Sequence, residues 1–352
     1  MPALEAHDDV GALRQPVYDL TLAFIAPLGT DDGYVGHVAP LRLQAGAAYW
    51  MLALASMPMC RILCWRTDLR FLIALMALLA SACQAGPPGM KSSTEAYGGA
   101  EKQVLDLYWA GKGRPAPLVL FIHGGGWSMG SKKDGESAQP DHFVAQGYAY
   151  ASLDYRLVPD VKVEDQLADV ARALRWLVKH GRRFSIDTRR IVLVGHSSGA
   201  HLAALIATDP DWLKRAGVPF DSIRGVVSLD GAGIDVPGIM AAGAITSRFY
   251  VDAFGADVAR QTRLSPQAHV GLRDAPRWLL LYDQAHNPAA GFFAQRFVQS
   301  LRQEGAVARV VAIPDTTHMR MLGTLGKEQN PVTIAVDAFL KDAVGSPNGG
   351  PQ

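Results

Sequence analysis

The sequence predicts an α/β fold, a doubly wound and mostly parallel sheet with helices on both faces. Short apolar runs alternate with segments of helical periodicity between about residues 104 and 344. Such alternation is typical of parallel sheets, in which a helix joins each strand to the next. Two of the apolar runs end directly in a glycine-containing turn, at residues 123–127 and 195–199. We expect the chemistry of the protein at these two turns.

Composition and charge fit one large globular domain. Of the 352 residues, 49% are hydrophobic and 19% are charged, so the chain can bury a substantial core. The net charge of +1 gives no electrostatic basis for binding nucleic acid. All three cysteines precede the predicted domain, and no disulfide framework or zinc site can be built from them. They are Cys60, Cys64 and Cys83. We expect neither a cofactor nor a metal.

A short apolar segment near the N-terminus predicts export. Residues 71–80 are apolar, follow several arginines and lead into Ala80-Ser81-Ala82-Cys83. This order of basic, apolar and small residues is typical of a signal peptide, which we place at 59–82. The run is too short to span a bilayer, which needs about 20 apolar residues. We expect an exported bacterial protein, either periplasmic or a lipoprotein anchored to the membrane at Cys83; simple cleavage at this point is the alternative.

Residues 1–58 do not fit an exported protein, because a signal peptide must begin the chain. We interpret them as a non-native or unstructured extension, with translation starting at Met57 or Met59. The alternative is a genuine membrane-associated extension that uses the apolar patch at 45–59. Glycine, proline and serine are frequent after Cys83, so we expect residues 83–100 to be a flexible tether.

The predicted α/β domain spans residues 101–345, and its elements follow from hydrophobic periodicity. Strands are predicted at 104–109, 117–122, 148–153, 190–194, 225–230, 278–282 and 308–313. Helices are predicted at 165–179, 200–208, 290–303 and 331–344. The segment 234–276 is irregular except for a helical patch at 248–254. We expect this insertion to form a small cap over the active site.

Three successive glycines follow the strand at 117–122. They lie in the sequence His123-Gly124-Gly125-Gly126-Trp127. Each glycine costs backbone entropy and fills no space, so packing alone does not explain the run. Backbone N–H groups that must approach a ligand closely do explain it, as in an oxyanion hole. We expect Gly125 and Gly126 to be the donors and Gly124 to provide the bend.

The second turn, Gly195-His196-Ser197-Ser198-Gly199, lies between a predicted strand and a predicted helix. Gly-x-Ser-x-Gly in this context indicates a nucleophile elbow, with the central Ser197 held at the N-terminus of a helix. The residue after the nucleophile normally supplies one oxyanion donor, so Ser198 is a candidate through its backbone N–H. The helix dipole favours the negative charge that develops during acyl transfer.

The two turns, with Asp154-Tyr155-Arg156-Leu157 between them, resemble the α/β-hydrolase superfamily. The likeness is strongest to hormone-sensitive-lipase-like and feruloyl-esterase-like carboxylesterases and to kynurenine formamidases, and it covers about residues 104–340. It implies the α/β-hydrolase fold, Ser197 as nucleophile, and Gly125, Gly126 and Ser198 as oxyanion donors. It also implies a base in the loop after the last strand, where this sequence has His318.

The sequence offers more than one candidate for the acid of the triad. In these families it lies a few residues past the strand at 278–282, where this sequence has His286. Asp283 lies three residues earlier and is the acid that we expect. Asp230, which ends the preceding strand, is where some lipases place their acid. A Ser-His dyad without an acid is the remaining alternative.

The predicted function is a serine hydrolase that cleaves short-acyl carboxylic esters through an acyl-enzyme. An amidase of the kynurenine formamidase kind is one alternative. A catalytically silent binding protein that has lost its acid is another. The expected partner is a small-molecule ester or amide, and the membrane is contacted only through a lipid at Cys83.

Overall fold

The computed structural model describes residues 89–111, 113–243 and 248–345. The expected extension at 1–58, the signal peptide at 59–82 and Cys83 all lie outside these residues. None of the helices in the described part of the chain combines the length and the apolar composition that crossing a bilayer requires.

Eight strands form one sheet in the order β1-β2-β4-β3-β5-β6-β7-β8. Strands β3 to β8 are parallel to one another, whereas β2 pairs antiparallel with both of its neighbours, β1 and β4. The strands are β1 Met90–Ala96, β2 Val104–Ala110, β3 Ala116–Ile122, β4 Ala149–Leu153, β5 Ile186–His196, β6 Ile223–Leu229, β7 Arg277–Asp283 and β8 Val307–Ile313. The predicted doubly wound, mostly parallel sheet is confirmed.

Helices cover both faces of this sheet. They are α1 Gln139–Ala145, α2 Val163–His180, α3 Ser198–Thr208, α4 Pro210–Ala216, α5 Val236–Ala241, α6 Arg248–Phe254, α7 Val258–Arg263, α8 Pro288–Gln303, α9 His318–Thr324 and α10 Pro331–Val344. One apolar core contains buried residues of α2, α3 and α8. A second core, on the other face, contains those of α1, α9 and α10. Because α3 is buried along its whole length, the elbow at its N-terminus has a rigid base.

The sheet begins earlier in the chain than the sequence predicts. Residues 90–96, expected within the flexible tether at 83–100, form β1 and pair with β2 from Met90 opposite Ala110 to Ala96 opposite Val104. The segment is polar, Met-Lys-Ser-Ser-Thr-Glu-Ala, and partly exposed. An edge strand of this kind is stabilised by main-chain hydrogen bonds to β2, so it shows little of the apolar alternation from which a strand is predicted.

The segment between β6 and β7 contains α5, α6, α7 and a 3₁₀ turn at Pro266–His269. It is fastened to the rest of the domain by a bidentate ion pair in which Arg260 of α7 donates to Glu164 of α2, at 2.8 and 2.7 Å. Phe254 of α6 is fully buried in the core on the α3 face. The insertion therefore has its own anchors on the two helices next to the elbow.

Candidate active site

The nucleophile elbow has the backbone that its sequence predicts. Ser197 connects β5 to α3 with φ 53° and ψ −121°, a conformation that non-glycine residues rarely adopt. A Cβ on Gly195 would lie 2.5 Å from the Ala200 backbone, and one on Gly199 would lie 2.1 Å from the Ile122 carbonyl oxygen. Only glycine fits at these two positions. Because neither residue has a side chain, the turn is tight enough for Ser197 to project from it.

The glycine turn after β3 lies directly against this elbow. A Cβ on Gly124 would be 2.9 Å from His196 Nδ1 and 3.0 Å from Ser197 Cβ. Gly125 has φ 110° and Gly126 has φ 57°, in the left-handed region that favours glycine. Close approach to Ser197 and the two positive φ angles together account for the three glycines.

Three backbone donors are unused at this point. Among the described residues, the N–H groups of Gly125, Gly126 and Ser198 have no hydrogen-bond acceptor. The turn uses the Gly125 carbonyl instead, which accepts from the N–H groups of Ser128 and Met129. Ser198 lies in the first turn of α3, where amide groups have no partner within the helix. Donors of this kind suit an oxyanion.

Trp127 fixes the far end of the glycine turn. Its carbonyl accepts from the Gln166 side chain at 2.6 Å and from the Val158 N–H at 3.0 Å. Its indole Nε1 donates to His201 Nδ1 at 3.2 Å, and His201 Nε2 donates to the Leu264 carbonyl at 2.7 Å. Burial lowers the pKa of His201 to about 4, so this ring is neutral and joins the turn, α3 and the insertion.

His318 begins α9, in the loop after β8, and its partner is Asp230. His318 Nδ1 lies 2.6 Å from Asp230 Oδ2. The Asp230 side chain is wholly buried, whereas 42% of the His318 side chain is exposed. Asp230 has φ 44°, and its N–H donates to the Leu281 carbonyl at 2.8 Å, so the chain turns toward β7 as it leaves β6. This turn places the carboxylate under the imidazole.

Asp283, the acid that we expected from the sequence, does not contact His318. Its carboxylate accepts from the N–H groups of Ala285 and His286, at 3.0 and 3.1 Å, and pairs with His286 Nδ1 at 3.0 Å. The expectation is wrong because the side chain is consumed by the tight turn that follows β7. Only the Asp283 main chain reaches the site, where its N–H donates to Asp230 Oδ1 at 3.2 Å.

His196, the residue before Ser197 in the chain, contacts His318. The imidazole rings of His196 and His318 are 4.5 Å apart, and His196 Nε2 donates to the His318 carbonyl at 3.0 Å. Within the described residues, Ser197 Oγ itself makes no hydrogen bond to His318. Such nucleophile–base contacts are often long without substrate and tighten when it binds.

Known proteins with similar sequences include esterases. A family model described as BD-FAE matches residues 105–221. The chain is 38% identical to Esterase LipI of Mycobacterium tuberculosis over 92 residues, which are 26% of this chain and 29% of LipI. It is 27% identical to Probable carboxylic ester hydrolase LipM of the same organism over 251 residues, 67% of this chain and 57% of LipM. The chain thus spans less than two thirds of the curated relatives that it matches.

Solved structures with a similar backbone are esterases as well. Esterase B from Lactobacillus rhamnosis superposes with a TM-score of 0.60 at 24% identity, over 78% of this chain and 95% of the other. A butyrate-bound thermophilic esterase from Thermogutta terrifontis gives 0.59 at 21% identity, over 75% and 97%. The chain has the α/β-hydrolase fold. In this chain, the carboxylate that holds the histidine follows β6 rather than β7.

Sequence reasoning missed two residues of this site. His196 contacts His318, and burial, aided by the neighbouring His318, lowers the pKa of His196 to about 4. Asn287 donates from Nδ2 to both oxygens of Asp230, at 3.2 Å each. The sequence signal for Asn287 was the Asn-Pro pair at 287–288, which is typical of a helix start. It indicates that Asn287 ends the loop between β7 and α8.

Proposed function

We propose that the protein is a serine hydrolase that cleaves carboxylic esters through an acyl-enzyme intermediate. The observation that carries the proposal is that Ser197, on its strained elbow, lies against the glycine turn, and that the N–H groups of Gly125, Gly126 and Ser198 have no acceptor among the described residues. His318 packs on His196 of the elbow and has its Nδ1 held by the buried Asp230. Nucleophile, oxyanion donors and a base with a fixed orientation are the parts that acyl transfer requires.

Each group has one task in this mechanism. With its Nδ1 proton donated to Asp230, His318 presents the Nε2 lone pair and takes the proton of Ser197 as the hydroxyl attacks the acyl carbon. The N–H groups of Gly125, Gly126 and Ser198 stabilise the oxyanion that forms. His318 then returns the proton to the leaving alcohol, and a water molecule activated by the same imidazole releases the acid.

Names of similar proteins support the ester as substrate, since LipI and LipM are described as an esterase and a carboxylic ester hydrolase. The binding-protein alternative assumed that the acid had been lost. Asp230, 2.6 Å from His318 Nδ1, removes the ground for that assumption. Its electrostatic support for the imidazolium favours an active enzyme.

Reaction with a fluorophosphonate tests this function. We expect one phosphonylated residue, Ser197, found by mass spectrometry of the intact and digested protein. Ser197→Ala should abolish the label. Ser198→Ala is the matched control, because it removes a neighbouring hydroxyl but keeps the backbone N–H, and it should label like the original protein. A folded protein that does not label at Ser197 contradicts the hydrolase proposal.

We further propose a preference for short acyl groups, on the basis of Phe249 in α6. The ring of Phe249 packs on the glycine turn, where a Cβ on Gly126 would lie 2.6 Å from Phe249 Cδ1. An aromatic ring this close to an oxyanion donor limits the space for an acyl chain. The limit comes from the insertion and not from the sheet.

A series of p-nitrophenyl esters tests this limit. We expect kcat/KM to fall as the acyl chain lengthens from acetate to octanoate, and Phe249→Ala to raise it for octanoate by about tenfold, since extra apolar contacts become available. Val251→Ala, at an exposed residue of the same helix, is the control and should change nothing. N-formylkynurenine belongs in the panel, and faster hydrolysis of this amide would favour the formamidase alternative.

A further inference from the structure

The carboxylate of Asp230 is held on both oxygens. His318 Nδ1 lies on Oδ2, and the Asp283 N–H donates to Oδ1. The side-chain amide of Asn287 lies 3.2 Å from each oxygen. Because the terminal torsion of an aspartate is soft, donors on both oxygens are what fix the plane in which the carboxylate meets the imidazole.

Asn287 serves two elements at once. It is the N-cap of α8, where its Oδ1 accepts from the Ala290 N–H at 3.2 Å, while its Nδ2 faces Asp230. In the reverse orientation, the amide oxygen of Asn287 would face the Asp230 carboxylate and its NH₂ group would face the Ala290 N–H. Both contacts would be repulsive, so the hydrogen bonds determine that Nδ2 faces Asp230. Its main chain is fixed by Asp283, whose carbonyl accepts the Asn287 N–H at 3.1 Å.

Capping alone does not require asparagine at this position. Aspartate is an equally good N-cap residue, but at 287 it would oppose a second carboxylate to Asp230. We propose that Asn287 is a positioning residue for the His318–Asp230 pair, whose side-chain amide holds the carboxylate in the plane that the imidazole needs. The proposal rests on the proposed hydrolase function and adds a residue that acts through Asp230 without touching the substrate.

The ionisable groups around this pair set the expected direction of a pH effect. His196 faces His318 from the end of β5, Asp283 ends β7, and His286 lies on the loop between β7 and α8. A carboxylate introduced at 287 adds negative charge beside Asp230 and favours the protonated imidazole of His318. The base must be neutral to accept the serine proton. As the pH is lowered, the variant would therefore lose activity at a higher pH than the original protein does.

The test is Asn287→Asp, compared with Asn330→Asp. Asn330 also caps a helix, α10, and also precedes a proline, but it lies outside the site. For Asn287→Asp we expect the acidic limb of the kcat/KM profile for p-nitrophenyl acetate to move up by about one pH unit. The maximal kcat should fall about tenfold or more, with little change in Tm. Asn330→Asp should leave limb, kcat and Tm unchanged.

Two further measurements keep the outcomes distinct. Titration of the His318 ring protons by NMR reports the same shift without requiring turnover. If the protein hydrolyses no ester, the proposed function is contradicted, but the NMR titration still tests the role of Asn287. Asn287→Ser keeps an N-cap without adding charge, and we expect lower kcat with a smaller shift of the limb. If both folded variants keep the original kcat, limb and NMR titration, Asn287 is only a helix cap and the proposal is overturned.

Discussion

Two aspartate–histidine pairs lie side by side at the carboxyl ends of β6, β7 and β8, and they differ in how they are assembled. Asp283 and His286 are three residues apart and share one turn, whereas Asp230 and His318 are 88 residues apart and come from different strands. Both carboxylates are buried, but 64% of the His286 side chain is exposed against 42% of that of His318. Only His318 packs on a residue of the nucleophile elbow.

The comparison teaches that carboxylate contact alone does not make an imidazole a catalytic base. The Asp283 carboxylate is spent on the N–H groups of its own turn. The Asp230 carboxylate accepts from no main-chain group of its own loop, and its donors come from other parts of the chain: Asp283, Asn287 and His318. The local pair shapes a loop, and that loop then supports the long-range pair.

Replacing each acid separates the two pairs most sharply. We expect Asp230→Asn to lower kcat for p-nitrophenyl acetate by about 10⁴-fold, because the imidazole loses both its tautomer and the charge that stabilises the imidazolium. Asp283→Asn keeps an oxygen that can accept from Ala285 and His286, and should lower kcat by less than about tenfold. Circular dichroism of both variants confirms that they fold. Equal losses, or a larger loss in Asp283→Asn, would contradict the assignment.

Two buried histidines make the stability of the protein depend on pH. Burial lowers the pKa of His196 and of His201 from 6.5 to about 4. Between these pH values the unfolded state binds the proton and the native state does not, so the free energy of unfolding falls as the pH falls from 6.5 to 4. Above pH 6.5 and below pH 4 these groups add no slope.

Urea denaturation between pH 7 and pH 4.5 measures this loss, which we expect to be on the order of 1–3 kcal/mol for each histidine. His201→Asn should be less stable than the original protein at pH 7 but should lose less stability on acidification. An unchanged slope in His201→Asn would show that the ring is charged in the folded protein.

The smallest effect is expected at the histidine of the local pair. His286→Ala removes an exposed ring but leaves the Asp283 carboxylate to accept its two main-chain donors. We expect kcat/KM for p-nitrophenyl acetate to change by less than about threefold, as for most surface substitutions. A tenfold loss would indicate that His286 contacts the substrate.

The sequence predicts those parts of the site that are encoded locally. The elbow at 195–199 and the glycine turn at 123–127 each contain, within five residues, the backbone freedom that their geometry needs. The acid is encoded differently. Nothing near Asp230 indicates that the chain bends toward β7 there, with its N–H on the Leu281 carbonyl. The contact with His318 exists only once three strands are paired, so spacing along the chain favoured Asp283.

The same distinction explains the strand that the sequence did not reveal. Strands β3 and β5 are buried on both faces, and their apolar runs identify them directly. Strand β1 contributes main-chain hydrogen bonds to an edge, and its serines, threonine and glutamate are as suited to a linker as to a strand. Prediction fails here because pairing with β2, and not composition, determines the structure of residues 90–96.

The direction of β1 determines where neighbouring material can be attached. Strand β1 is antiparallel to β2 and therefore runs in the same direction as β3 to β8. The chain thus enters the sheet at the amino-terminal ends of these strands, whereas Ser197 lies at their carboxyl ends. Helix α10 ends near the same ends of the strands, where the Val344 carbonyl accepts from Arg190 in the first half of β5. A solid support or a fusion partner joined directly before Gly89 or after α10 would therefore emerge on the side away from the elbow. The proposed ester hydrolysis should therefore be retained when the protein is immobilised at either point.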